Sequence, residues 1–267
     1  MGRQGGEMQV RMVRGGRVSM AVASAVALAA SCTVDGRSRE VQAFEDALQP
    51  LHQAKSFRMT GEFHSSGGAK VRFEAALDGR RGCAGTVGGA ESVLVGKQVW
   101  TRWADSALPE AVSRLAGDSE VAVVDPAADL TQDPQWAATE LLRGAYMVTT
   151  LPGDVPETEG IAPVCQTGLL LAGAATAVGD VTSGPVTVRD GQRLRSLSKT
   201  KGPVTIRVYV PAQGSPKAVL AEYQVEGGRS FSMQFKDVGK PVTVHLPEGE
   251  QTVTSGDVMT ILHQDGA

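Results

Sequence analysis

The chain reads as an α+β protein: one large curved antiparallel sheet, an unclosed barrel, covered by helices on its concave side. Three observations predict this. Apolar and polar residues alternate from Phe57 to Leu77 and again from Val186 to Leu246, the period of strands with one buried face. A helix with a single apolar stripe precedes the first block. Between the blocks lies a stretch, about 104 to 180, broken by prolines and patterned like short helices. A sheet with one apolar face must cover it, and the chain's 267 residues are enough for a large core.

The elements follow in order. Arg11, Arg14 and Arg17 precede an apolar run, Val18 to Ala30, and the small residues Ala29-Ala30-Ser31 precede Cys32. Basic, apolar and small-residue regions in that order describe a secretory signal peptide over residues 1–31. The run has about 13 residues, short of the roughly 20 a spanning helix needs. A cysteine directly after the small residues resembles the lipobox of bacterial lipoproteins, with Ala29 where that pattern usually carries Leu. The resemblance implies that Cys32 begins the mature protein and is the lipidation site, its sulfur carrying a diacylglycerol. One acyl chain holds a protein only marginally on a membrane and two or three hold it firmly. The expected location is therefore the extracytoplasmic face of the cell membrane, with the membrane as partner through the anchor. The bland alternative is a transmembrane anchor, or a cytosolic protein with a chance cysteine.

Residues 33–38 are small and polar and read as a tether. A helix is expected over 39–55, with Val41, Phe44, Leu48 and Leu51 on one stripe, Ser38 as N-cap, and Pro50 kinking it or splitting off the last turn. Phe57, Met59, Gly61 and Phe63 then alternate, as do Val71, Phe73, Ala75 and Leu77 after a Ser-Ser-Gly-Gly turn. Shorter strands are expected near 82–88, 91–96 and 98–103. Helices are expected over 108–115 and 134–146; Leu169, Leu170 and Leu171 have no assignable pattern. Strand alternation resumes through Val186 and Val188, 204–210, 219–225, 231–235, and Val242, Val244 and Leu246. Gly227-Gly228 fits a tight turn, and 258–262 a short C-terminal helix. The helices at 39–55 and 134–146 are the expected covers of the sheet.

Cys83 and Cys165 are an even pair in an exported domain and are expected to form a disulfide; two buried thiols that never meet are the alternative. The net charge is −3, and −6 without residues 1–31, which speaks against nucleic acid as a partner. The absence of Asn, with only three Ile and abundant Ala, Gly, Val and Arg, fits a GC-rich genome. Together with the lipobox it points to an actinomycete-like bacterium.

Several segments carry a closer resemblance. They are Ser56-Phe57-Arg58-Met59-Thr60-Gly61, Gly82-Cys83-Ala84-Gly85-Thr86-Val87, Val95-Gly96-Lys97-Gln98-Val99-Trp100, and Phe235-Lys236-Asp237-Val238-Gly239-Lys240-Pro241-Val242. Their order is similar to actinobacterial lipoproteins of the LppX/LprG type, which share the LolA/LolB fold. The resemblance implies a single LolA-like domain over 39–267, with a helical insertion at about 104–180 where relatives differ most. It also implies a hydrophobic cavity and, as for some relatives, a lipid or lipoglycan ligand. On the sheet's inner face the cavity residues would be Met59, Phe63, Phe73, Leu77, Tyr223 and Met233.

Nothing in the sequence points to catalysis, a cofactor or a metal, so no enzyme activity is expected. His52, His64, His245 and His263 have no metal-ligand spacing. Ser196-Leu197-Ser198-Lys199 matches a Ser-x-x-Lys pattern without its companion motifs. Glu40, Glu45 and Asp46 complement a helix start more simply than they make an acid–base pair. Trp100, Trp103 and Trp136 read as packing residues before ligand contacts. Two functional classes remain. One is a carrier that sequesters an acyl ligand without chemistry. The other is a solid-core interaction module for a transporter, sensor or cell-wall enzyme, which would show a filled interior and an exposed apolar patch.

Overall fold

The computed structural model describes residues 39–64, 68–79, 82–117, 133–151, 160–174, 180–215 and 217–263. The signal segment, Cys32, the tether and the Ser38 cap lie outside the described residues. The described chain runs α1 (Arg39–Gln53), β1 (Ser56–His64), β2 (Lys70–Asp78), β3 (Gly82–Val87), β4 (Ala90–Val95) and β5 (Gln98–Arg102). It continues with α2 (Leu108–Leu115), α3 (Pro134–Leu142), β6 (Tyr146–Thr150) and α4 (Ile161–Gly173). The remainder is β7 (Val181–Arg189), β8 (Gln192–Lys201), β9 (Val204–Pro211), β10 (Leu220–Val225), β11 (Ser230–Lys236), β12 (Thr252–Thr254) and α5 (Ser255–Leu262).

The strands form one 12-stranded sheet in the order β12-β6-β5-β4-β3-β2-β1-β11-β10-β9-β8-β7, open at both ends. Described pairs are antiparallel except β6 with β12. Alternation sets the register. Tyr223 stands opposite Phe231, Phe231 opposite Phe63, and Phe63 opposite Val71, so one row of apolar side chains crosses four strands. Within it the Phe63 and Phe231 rings stack at 5.2 Å, and Tyr223 meets Phe231 edge-on at 6.2 Å, contacts that add to plain burial. A single core takes in residues from Val181 on β7 to Val99 on β5. Ten adjacent strands can share one core only if the sheet curves around what it covers.

What it covers is α1 and α4. Helix α1 buries Phe44, Ala47, Leu48 and Leu51, each of the larger side chains contributing about 1.5–3 kcal/mol. It runs as one helix through Pro50, where the sequence predicts a kink or a split-off last turn. The missing donor falls in the last turn, and Ala54 N–H still closes that turn on the Pro50 carbonyl at 3.0 Å. Helix α4 replaces the expected cover at 134–146. It is bonded to β3 through the Cys83–Cys165 disulfide.

The helix expected over 134–146 stops at Leu142. Gly144, at φ 71°, reverses the chain, and Tyr146–Thr150 joins the sheet beside β5. Helices α2, α3 and α5 make a separate small core on Met147, from Leu108, Val112, Ala138, Leu142 and Val258. Val242, Val244 and Leu246 do not form a strand. Both edges of β11 are already taken, by β1 and β10, so the chain after it has no ladder to join there. It turns instead where Gly239 N–H donates to Ser56 O and Ser56 Oγ donates to Lys240 O. It then lies as a strap over the outer face, Val244 packing with Val93, Trp100 and Tyr146.

Candidate functional site

Helix α4 explains why its sequence has no helical period. Its core face buries Ile161, Val164, Cys165, Gly168 and Leu171. Gly168 lets it approach closely, since a Cβ there would sit 3.0 Å from the Met59 sulfur. Gln166, Leu169, Leu170 and Gly173 recur at three and four on the other face. A helix apolar all round is normally covered all round, yet Leu169 and Leu170 are 50 % and 54 % exposed. That uncovered stripe faces a cavity of about 780 Å³ between α4 and β8–β10, within the usual range for small-ligand sites.

The opposite wall follows from strand register. Lys199 stands opposite Ile206 and Lys201 opposite Val204, and Tyr223 stands opposite Ile206. All five line the cavity, with Gln166, Leu169, Leu170, Gly173 and Ala174 on the helix side. His52 Nδ1 lies 3.2 Å from Ala172 O and ties the end of α1 to α4. The space is mostly aliphatic, with Tyr223 of the aromatic row in its wall. It can shield an apolar chain from water. Among the described residues it offers no convergent acid, base and nucleophile.

Of the six residues predicted to line a cavity, Tyr223 lies on this one. Met59, Phe63, Phe73, Leu77 and Met233 are together, but buried in the main core under α1 and α4. Sequence reasoning missed Leu169, Leu170, Val204 and Ile206 as lining residues. Their signal was present: two adjacent leucines after Cys165 and an alternating strand. Which helix would cover which strands was not written in either. Trp100 packs under the strap, Trp103 against the small core, and Trp136 is exposed.

A second concavity, about 390 Å³, lies on the outer face of β7–β9 and is polar. Arg189 and Arg207 both pair with Glu222, at 2.9 and 3.2 Å, and Tyr209 donates to Glu222 at 2.9 Å. Burial pushes the Tyr209 hydroxyl above its ordinary pKa, so it stays protonated and donating. These groups satisfy one another.

Ser196 is on this outer face and Lys199 on the inner one, so the Ser-x-x-Lys pair cannot meet. Among the described residues no cluster of three or more His, Cys, Asp or Glu could hold a metal, and no helix is long and apolar enough to cross a membrane.

No family model matches the chain, and no curated protein matches it. Among solved structures it is similar to the lipoprotein LppX of Mycobacterium tuberculosis, at 13 % identity over 77 % of this chain and 98 % of that chain, with a TM-score of 0.40. It is similar to LprF from Mycobacterium bovis, at 10 % identity over 79 % and 97 %, with a TM-score of 0.44. A LolA superfamily protein from Nitrosomonas europaea follows at 9 % identity over 81 % and 99 %, with a TM-score of 0.28. These are the lipoprotein type and superfamily that the sequence resembles. Identities this low carry no ligand or activity across, and the fold stands on its own strand order and register.

Proposed function

We propose that the chain is an envelope lipoprotein, anchored through Cys32, whose domain holds an acyl chain or similar apolar ligand between α4 and β8–β10 and does no chemistry on it. The observation that carries this is the uncovered apolar stripe of α4 facing the 780 Å³ space. Removing apolar surface from water stabilises by about 25 cal/mol per Å², roughly 0.8 kcal/mol per methylene. Ordering the ligand offsets part of that. Cys32, after its apolar run and small residues, supports a domain tethered close to a bilayer.

Gly173 offers the direct test, because beyond its Cα nothing lies within 4 Å of an added Cβ. Gly173→Trp should fill the space and weaken ligand binding roughly tenfold or more, about 1.4 kcal/mol. Thermal stability should hold, since glycine is itself a poor helix former. The readout is organic extraction of the purified full chain followed by mass spectrometry. Acyl groups on Cys32 are covalent and stay with the protein, whereas a held ligand extracts. A near-stoichiometric amphiphile in the parent and its depletion in the variant is the expected result. If nothing extracts, and added diacyl and triacyl lipids do not bind either, the domain is an interaction module. The anchor is tested separately: Cys32→Ala should release the chain from membranes or block processing of the leader, and unchanged retention with unchanged processing would remove the anchor.

A further inference from the structure

We propose that the groove selects an amphiphile with an anionic head group, a carboxylate or phosphate on an acyl chain, and that Lys201 and Lys199 read that charge. This rests on the groove being a ligand site and adds the class of ligand it takes. Among the described residues, the charged ones lining the groove are these two lysines, and both are cations. They stand two apart on β8, so the pleat aims them at the same face. A purely hydrocarbon ligand gains nothing from cations in its wall, and covering the exposed Lys201 with it carries a desolvation penalty.

Lys199 is only 5 % exposed. Its ammonium lies 5.4 Å from the centre of the Phe44 ring, a cation–π contact. Burial lowers its pKa from the ordinary lysine value, and Glu45 on α1 acts in the opposite sense. Lys201, at the strand end, is exposed and adds a like charge. Further along the same strand face, opposite Val210, Arg195 keeps its Nε buried with no hydrogen-bond partner. The inner face of β8 therefore carries three cations, of which Lys199 and Lys201 line the groove beside the aliphatic helix face. The division of labour is simple: Leu169, Leu170, Val204 and Ile206 take the chain, Lys201 meets the head group, and Lys199 adds charge from beneath.

Native mass spectrometry of the full chain, released from non-ionic detergent micelles, can count binding of oleate, oleyl phosphate and oleyl alcohol in competition. The three share one chain and differ in the head. Oleate or oleyl phosphate should exceed oleyl alcohol roughly tenfold or more, the range of a hydrogen bond to a charged group. The better of the two anions identifies the head group. Lys201→Gln, at an exposed site, should erase most of that preference without disturbing the fold, and Lys199→Met should reduce it further. Gly173→Trp should lose all three ligands alike. Equal binding of the three, unchanged by either lysine variant, would overturn the head-group inference and leave the groove intact. Failure of all three to bind would overturn the groove itself.

Discussion

Replacing Cys83 and Cys165 together by alanine should lower the stability of the domain by about 4 kcal/mol, the range expected for a crosslink across a loop of this size. The two residues are 82 apart in sequence. The bond pins α4, in the middle of the chain, to β3, and both cysteines are buried in the main core. Beyond chain entropy, the variant loses the one covalent hold on the helix that supplies Gln166, Leu169, Leu170, Gly173 and Ala174 to the groove. Ligand affinity should therefore fall along with stability. Urea titration of parent and variant measures the first effect, and the parent under reductant should follow the variant. A loss below about 1 kcal/mol would mean that packing of Ile161, Val164 and Leu171 alone holds α4 in place.

Gly61→Val should be as damaging without touching the groove. Gly61 lies mid-strand in β1, opposite Met233 on one side and Phe73 on the other. A Cβ there would sit 2.0 Å from the Ser232 carbonyl oxygen, 2.9 Å from the Met233 Cα and 3.0 Å from the Phe73 ring. Two of these are backbone atoms and cannot swing away. The sheet must spread at its centre, or Phe73 must leave the core. Overpacking typically costs about 1–3 kcal/mol, and a central strand shut in by backbone on one side should fall at or above the top of that range. Gly249→Val is the control, because nothing lies within 4 Å of a Cβ there and its φ is not positive. Equal melting temperatures for the two variants would sink the argument.

The strands were the most legible part of the chain, for a simple reason. Strands β1 and β2 each turn one face to the core and carry charged, exposed residues such as Arg58 or Arg72 and Glu74 on the other, so Phe57, Met59 and Phe63 or Phe73, Ala75 and Leu77 mark their own register. Helix α1, with one stripe, was legible on the same grounds. Helix α4 was not, because it turns one apolar face to the core and another to the groove, and no contrast is left to show a period. Val242 and Val244 misled in the opposite way. They are apolar and alternate like a strand, but both are outside the sheet's ladders, and Val244 packs on a sheet face. Met59, Phe63, Phe73, Leu77, Tyr223 and Met233 share one face of the sheet. Whether a given face is filled or hollow depends on where α1 and α4 lie. Met59, Phe63, Phe73, Leu77 and Met233 are buried in the main core, and Tyr223, partly buried against it, also lines the groove beside α4.

The pairing of β1 with β11 joins Arg58 to Lys236. The strands at the centre of the sheet are thus contributed by opposite parts of the chain. While the polypeptide emerges, β1 to β5 can zip into a meander, and the Cys83–Cys165 bond can close once residue 165 is out. Through all of that time β1 has a bare edge, with Phe57, Met59 and Phe63 beside it, because its neighbour has not yet been delivered. Long-range closure of this kind is slow, and an unpaired apolar edge invites the wrong strand. The molecule's most vulnerable moment is therefore not thermal unfolding but the interval before residue 236 arrives, when half a sheet must wait for a partner that other chains could supply.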